Sequence, residues 1–180
     1  MCSAAPVMEF SSGDPELQEF FRKNREFAFK IKNDVARMKG ILRNIIKVAG
    51  EDQLQLIKEQ LGIEQVNLLQ CHNNPYDLEA CFNQILAGLH TYRGYLTHMS
   101  QTLTTQASQL NLIKHDVSNL SDNIQQEMKD CGLTTVTYPP EENQTTPAFL
   151  QNPLIGSYLI LANFQRFLET TLRALRPWSA

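Results

Sequence analysis

The sequence predicts an all-α protein, a long-chain four-helix bundle with up-up-down-down topology and two long crossover loops. Two observations predict this fold: four segments carry apolar residues in steps of three and four, and the connections between them differ greatly in length. No segment alternates polar and apolar residues as a strand would. Residues 1–180 are expected to form one domain, because a chain of this length with 42% hydrophobic residues can bury a conventional core.

Turn and capping residues set the expected boundaries of the helices. Asp14 followed by Pro15 is typical of an N-cap and a first helical residue. Gly62 and Gly132 are typical of the position just after a helix. The expected helices are, in chain order, residues 15–48, 75–101, 105–130 and 154–176, with a short additional helix at 52–61.

The lengths of the connections predict the topology. A helix of about 24 residues is about 36 Å long, so a chain that returns along it needs at least about 11 extended residues. Only a few residues, around 102–105, join the second and third helices, which must therefore be antiparallel neighbours. The first connection, 50–73, and the third, 133–153, are long enough to run the length of the bundle. Residues 134–143 of the third connection are polar and proline-containing, and we expect them to be mobile.

The charge pattern argues against nucleic acid and membranes as partners. The chain has 16 Lys and Arg against 19 Asp and Glu, a net charge of -3 and no long basic run, so no nucleic-acid partner is expected. No apolar run approaches the roughly 18 residues of a membrane span, so no membrane insertion is expected. The first residues have neither a basic head nor an apolar stretch, which indicates either a cytosolic protein or the mature form of a secreted one.

The four cysteines leave the redox compartment open. A bridge between Cys71 and Cys81 would close a loop of about 11 residues and contribute about 3 kcal/mol in the chain-entropy model. Four reduced, partly buried thiols fit the spacing equally well. Cys2 and Cys131 have no obvious partners, and Cys131 is expected near the end of the third helix.

No residue pattern predicts a metal, a cofactor or catalysis. A di-iron site in a helical bundle needs a Glu-x-x-His pair on each of two helices, and no glutamate here is followed by histidine three places on. His90 and His98 lie eight residues apart and can share a helical face, but no cysteine or carboxylate is in register with them. We therefore expect that the protein is not an enzyme and has no metal and no cofactor.

Two sequons are candidate glycosylation sites. Asn119-Leu120-Ser121 lies in the middle of an expected helix, whereas Asn143-Gln144-Thr145 lies in the third connection. The loop position makes Asn143 the better acceptor candidate.

Several segments together resemble the family of granulocyte colony-stimulating factor and myelomonocytic growth factor, to which interleukin-6 is related. The resemblance covers nearly the whole chain, from about Leu17 to Arg176. Its most specific part is in the last helix, and the others are the end of the third helix, the start of the second helix and the first crossover. The segments that carry it are 164–169 with 173–176, 123–128 with 132–133, Cys71 and Cys81 with 88–89, and 61–63.

The resemblance implies a secreted, extracellular haematopoietic cytokine that promotes the growth and differentiation of myeloid cells. It implies that the chain binds and dimerises the ectodomain of a single-pass receptor of the granulocyte colony-stimulating factor receptor type, in a complex of two ligands and two receptors. It also implies a disulfide between Cys71 and Cys81. The first disulfide of the family is absent, because Arg43 and Ala49 occupy the matching positions.

The same resemblance implies which residues bind the receptor. On the first helix, four charged residues in steps of three and four form a stripe opposite the apolar one. Without the resemblance this stripe would be an ordinary solvated face. The implied main contact residues are Lys23, Glu26, Lys30 and Asp34 on the first helix and Asp116 and Asn119 on the third. A second, smaller surface is implied near Gln53 and the start of the fourth helix.

Two alternatives remain open from the sequence. One is an interleukin-6-like cytokine that uses a shared transducing receptor. The other is an intracellular helical adaptor, which predicts free thiols at Cys71 and Cys81.

Overall fold

Five α-helices and no strand make up the regular structure of the residues that the computed structural model describes. Those residues are 15–46, 51–62, 66, 68–71, 77–136 and 152–176. The helices are α1 (Pro15–Ile46), α2 (Glu51–Leu61), α3 (Leu78–Thr102), α4 (Ala107–Asp130) and α5 (Pro153–Ala174). Short 3₁₀ helices at Leu69–Cys71 and Thr104–Gln106 precede α3 and α4. The predicted all-α class is confirmed.

The largest boundary difference is at the start of α3, which begins at Leu78 rather than at residue 75. Asp77 is the N-cap: its backbone is extended, and its carboxylate accepts a hydrogen bond of 3.0 Å from the backbone N–H of Ala80. The expected start at 75 was wrong because the side chain of Asp77 caps the helix, where it satisfies a free N–H group of the first turn. The other helix ends that the structure describes either coincide with expectation, as at Pro15, Leu61 and Asp130, or differ by one or two residues.

The end of α4 forms the expected glycine cap. Gly132 has φ of 69°, and its N–H donates to the carbonyl of Lys129. The N–H of Leu133 donates to the carbonyl of Met128, which completes a Schellman motif. Gly62, with φ of 55°, follows α2 in the same left-handed conformation.

The direction of α4 relative to α1 follows from two contacts between them. Lys30 of α1 contacts Asp116 of α4, and Asn24, earlier in α1, contacts Asn123, later in α4. The residue numbers rise on one helix and fall on the other, so α1 and α4 are antiparallel. The short connection at Leu103 makes α3 and α4 antiparallel as well. Helices α1 and α3 are therefore parallel to each other.

The direction of α5 follows from its aromatic contacts with α3. The rings of Tyr92 and Phe164 stack with centroids 4.6 Å apart, and Phe167 lies over Gly88. A Cβ atom on Gly88 would lie 2.3 Å from the ring of Phe167, so only glycine permits this close approach of the helices. From the first contact to the second, the residue number rises on α5 from 164 to 167 and falls on α3 from 92 to 88. Helix α5 is thus antiparallel to α3 and parallel to α4, and the up-up-down-down topology is confirmed.

The hydrophobic core runs the length of the bundle and uses the predicted apolar stripes. Phe82, Tyr92 and Phe164 are among the largest fully buried side chains. Burial raises the pKa of the Tyr92 hydroxyl to about 12. Helix α1 packs against α4 and α5, and α3 packs against the same two helices. This order leaves two long edges of α1 at the surface, one beside α4 and one beside α5.

The first residues after α4 are held against α3, contrary to the expectation that 134–143 are mobile. The side-chain amide of Asn83 donates to the carbonyl of Thr134 and accepts from the N–H of Val136. Glu79 accepts from the N–H of Thr134 at 3.0 Å. These bonds satisfy backbone groups of residues 134 and 136 after the helix has ended, so this part of the segment packs on α3, while residues 137–143 lie outside the described part of the chain.

Candidate functional site

A cluster of four charged side chains joins α1 to α4 on one surface of the bundle. The ammonium group of Lys30 donates to Asp116 at 2.7 Å and lies 3.9 Å from a carboxylate oxygen of Asp34. Arg37 donates to the other oxygen of Asp34 at 3.2 Å. We call Lys30, Asp34, Arg37 and Asp116 the α1–α4 charged cluster. Negative and positive groups alternate along the cluster, and the bond between Lys30 and Asp116 crosses the seam between the two helices.

Exposure within the α1–α4 charged cluster is uneven. The side chain of Lys30 is 60% exposed, whereas Asp34 is 25% and Asp116 17% exposed. The hydrogen bond from Lys30 to Asp116 raises the pKa of the Lys30 amine and so stabilises its protonated form. Asp34 and Asp116 are partly buried and held by ion pairs, so their carboxylates have defined positions. A partner protein that covers them therefore meets a fixed pattern of charge.

Glu26 is held at the N-terminal side of this cluster by an arginine. Arg22 donates to Glu26 at 3.0 Å and to both carboxylate oxygens of Glu19. The hydrogen bond from Arg22 lowers the pKa of Glu19 and raises that of the guanidinium group. The Glu26 side chain remains 67% exposed. Its position is thus restricted without being covered.

The remaining residues implied as receptor contacts are less closely connected. Lys23 is exposed on α1, two turns before Lys30. The side-chain amide nitrogen of Asn119 lies 3.2 Å from a ring nitrogen of His115, one turn along α4. Gln53 lies in α2, which packs against α5, and its side chain is outside the described residues. Asn143 also lies outside them. The structure therefore brings Lys30, Asp34 and Asp116 into contact and leaves the other four at separate positions.

Two features of this surface were missed in the sequence. Leu112 of α4 is 66% exposed and lines a groove of about 130 Å³ with Asp34, Arg37 and Met38. The sequence did contain a signal for an exposed leucine, because Leu112 lies outside the apolar stripe of α4. The second feature is Asn24, which is buried and accepts from the amide of Asn123 across the helix seam. Asn24 had no separate signal, since it lies among the buried positions of α1.

A disulfide anchors the first crossover to α3. Cys71, in the 3₁₀ helix, is bonded to Cys81 in the first turn of α3, with Cα atoms 4.5 Å apart. The intracellular adaptor alternative predicts free thiols at both positions, and the structure has a bridge instead. Cys131, buried after α4, had no obvious partner in the sequence and is also disulfide-bonded in the structure. The sequence offered no spacing rule for that bond.

The described residues contain no group of three or more His, Cys, Asp or Glu side chains arranged to hold a metal ion. Among the same residues, no helix has both the length and the apolar character needed to cross a membrane. What the α1–α4 surface offers is a fixed pattern of charges beside an exposed leucine, an arrangement suited to association with another protein.

Comparison with known proteins places these features in a family. The family model described as granulocyte colony-stimulating factor matches residues 28–176. Myelomonocytic growth factor of Gallus gallus is 42% identical over 175 residues, which cover 96% of this chain and 86% of the relative. Granulocyte colony-stimulating factor of Sus scrofa is 30% identical over 173 residues, covering 96% and 87%. Interleukin-6 of Saimiri sciureus is 26% identical over 133 residues, covering 66% and 61%.

Proposed function

Because the chain belongs to the granulocyte colony-stimulating factor family, we propose that it is secreted and acts by binding and dimerising a single-pass receptor of the granulocyte colony-stimulating factor receptor type. Family membership makes it a haematopoietic cytokine and not an enzyme. The proposal adds the extracellular location, the receptor, a complex of two ligands with two receptors, and the growth and differentiation of myeloid cells as the response.

The observation that supports the main contact is the bond between Lys30 and Asp116. It joins two residues that are 86 positions apart in sequence and brings contact residues implied for α1 and for α4 onto one surface. We propose that the α1–α4 charged cluster, with Lys23, Glu26 and Asn119 beside it, is the main receptor-binding face. A glycan on Asn119 would cover this face, so the proposal requires Asn119 to be unmodified and leaves Asn143 as the acceptor.

The mechanism is association steered by charge. Alternating charges attract a receptor surface of the opposite pattern, which raises the encounter rate and fixes the orientation of the complex. Exposed ion pairs contribute only about 0–1 kcal/mol to folding, so exchanging one of them for a receptor partner costs little stability. Leu112, exposed beside Asp34, supplies an apolar group that loses contact with water when the receptor covers it.

Glu26 is the residue that we expect to contribute most to receptor affinity. Arg22 restricts its side chain, so less conformational entropy is lost when a receptor cation binds the free carboxylate oxygen. Glu26→Ala should weaken binding to the receptor ectodomain by about 30-fold or more, the effect of a hot-spot residue. Surface plasmon resonance measures the affinity, and a thermal melt should show a shift of less than about 2 °C.

The matched control is Glu59→Ala. Glu59 is also an exposed acid, and it lies on α2, which packs against α5 and not against α4. The control changes the net charge by the same amount and should bind like the parent. Equal affinities of Glu26→Ala and the parent would exclude Glu26 from the interface.

A second, smaller surface is needed for a complex of two ligands with two receptors. We propose Gln53 of α2 together with the start of α5, and the packing of α2 against α5 supports this pairing. Gln53→Lys should leave the one-to-one affinity within about twofold, as for a residue outside the main interface, but should prevent the larger complex. Light scattering coupled to size exclusion measures the stoichiometry. A Gln53→Lys variant that still forms the complex of two and two would remove Gln53 from the proposal.

The interleukin-6-like alternative is favoured only by the partial match to interleukin-6. Parallel binding to the ectodomain of a shared transducing receptor separates the two functions. Binding there, with none to the granulocyte colony-stimulating factor receptor, would favour the alternative.

A further inference from the structure

The cations of α1 fall into two groups that differ in their partners. On one side, Arg22, Lys30 and Arg37 all bind carboxylates. Arg25, Lys32, Lys39 and Arg43, the second group, make no ion pair with any of the residues that the structure describes. Within the described part of the chain, the cations of one edge are therefore paired with carboxylates, and those of the other edge are not.

The second group forms a straight row along the edge of α1 that faces α5. The four residues follow one another in steps of seven, seven and four, which keep them on one side of an α-helix. From Arg25 to Arg43 the row extends over about 27 Å at the rise of a helix. Arg176, just after α5, lines the same groove as Arg25 and Lys32. We call these five residues, Arg25, Lys32, Lys39, Arg43 and Arg176, the α1–α5 basic row.

Two cations of the row make cation–π contacts with aromatic rings. The ammonium group of Lys32 lies 4.7 Å from the ring centroid of Phe29, which is 50% exposed, and the guanidinium group of Arg43 lies 5.7 Å from that of Tyr158 on α5. These contacts restrict the cations without neutralising them. The groove beside Phe29 has a volume of about 460 Å³ and is open to an elongated ligand.

Two acids near the row reduce its positive charge only in part. Glu26 lines the same groove and pairs with Arg22, and the hydrogen bond from the neutral amide of Gln165 leaves the negative charge of Glu169 on α5 in place. The net charge of the chain is -3, so the row is a local concentration of positive charge and not part of a generally basic surface.

We propose that the α1–α5 basic row binds a linear sulfated polysaccharide of the heparan sulfate class. Lysine and arginine bind oxyanion groups such as sulfate through charge-assisted hydrogen bonds. A row of cations along about 27 Å of helix matches a chain that carries charges at intervals along its length. A protein partner is less well matched, because tight protein interfaces depend on a central apolar or aromatic cluster, and here Phe29 lies towards one end of the row.

The position of the row has a functional consequence. It lies on the edge of α1 that faces α5, whereas Lys30, Asp34 and Asp116 of the proposed receptor face lie on the edge that faces α4. Glu26 borders both surfaces, because it also lines the groove of the row. A polysaccharide on the row therefore leaves the α1–α4 charged cluster uncovered but approaches Glu26, so the two ligands should compete in part at this residue.

The test uses heparin and the purified full chain, and no receptor, so its result is independent of the proposed function. The parent should be retained on heparin at an ionic strength of about 0.15 M. Lys32→Gln combined with Lys39→Gln should weaken heparin binding on the order of tenfold and reduce the slope of log K against log salt by about two. The matched control is Lys114→Gln with Lys129→Gln on α4, which removes the same charge and should bind like the parent.

Three outcomes would overturn the proposal. The first is no retention of the parent at that ionic strength. The second is an equal loss of binding in the two double variants, which would show diffuse attraction without a site. The third is displacement from heparin by double-stranded DNA as effective as that by free heparin, which would show that any polyanion suffices. Circular dichroism of both variants should match the parent, since all four residues lie on the surface.

Discussion

Phe164→Ala should lower the free energy of unfolding by about 3–5 kcal/mol, the usual cost of removing a buried aromatic ring. Phe164 is 1% exposed and stacks on Tyr92, and its centroid is 6.4 Å from that of Phe167. The substitution leaves a cavity between α3 and α5 that these neighbouring rings cannot fill, because Phe167 is already pressed against Gly88. Urea unfolding followed by circular dichroism measures the loss.

Phe29→Ala is the matched control for this prediction. It removes the same side chain from a position that is 50% exposed, where little apolar area is buried. We expect it to cost less than about 1 kcal/mol. Similar losses in the two variants would mean that the aromatic stack between α3 and α5 does not form in solution.

Removal of the bridge between Cys71 and Cys81 should cost about 3 kcal/mol in the chain-entropy model. The bond closes a short loop in the unfolded chain, and in the folded chain it attaches the first crossover to the start of α3. The double variant Cys71→Ala with Cys81→Ala is preferable to serine, because Cys81 is fully buried and a hydroxyl there would lack a partner. It is also preferable to a reductant, which would attack the bond at Cys131 as well.

The same bridge can be checked without any variant. Thiol titration of the denatured, unreduced protein should find no free thiol at Cys71 or Cys81. Free thiols at both positions would contradict the bridge. They would also favour an intracellular protein over the secreted one that we propose.

Local patterns in the chain predicted the helices and their order. Apolar steps of three and four placed the helical faces, and Pro15, Gly62 and Gly132 placed ends where the structure has them. The start of α3 was misplaced, because Asn74 and Asp77, three residues apart, are both good N-cap residues, and the sequence alone does not rank one above the other. The connection lengths were sufficient for the topology, since a short link cannot run back along a long helix.

Much less of the candidate site followed from the sequence. The spacing of Lys23, Glu26, Lys30 and Asp34 placed them along one charged stripe, but their role and that of Asp116 came from the family resemblance. The partners of these residues were not predictable: Arg22 for Glu26 and Arg37 for Asp34 depend on side-chain conformations, and Lys30 with Asp116 depends on the packing of distant helices.

The amphipathic pattern of α1 by itself determined which side of the helix faces the core and which residues remain at the surface. Only the tertiary structure decided which exposed edge lies beside α4 and which beside α5. The hydrophobic effect is not directional, so an apolar stripe determines which side of a helix faces the core but not which other helices pack beside it. The order in which the helices pack separates cations of α1 that pair with carboxylates, such as Lys30, from cations such as Lys39 that pair with none of the described residues.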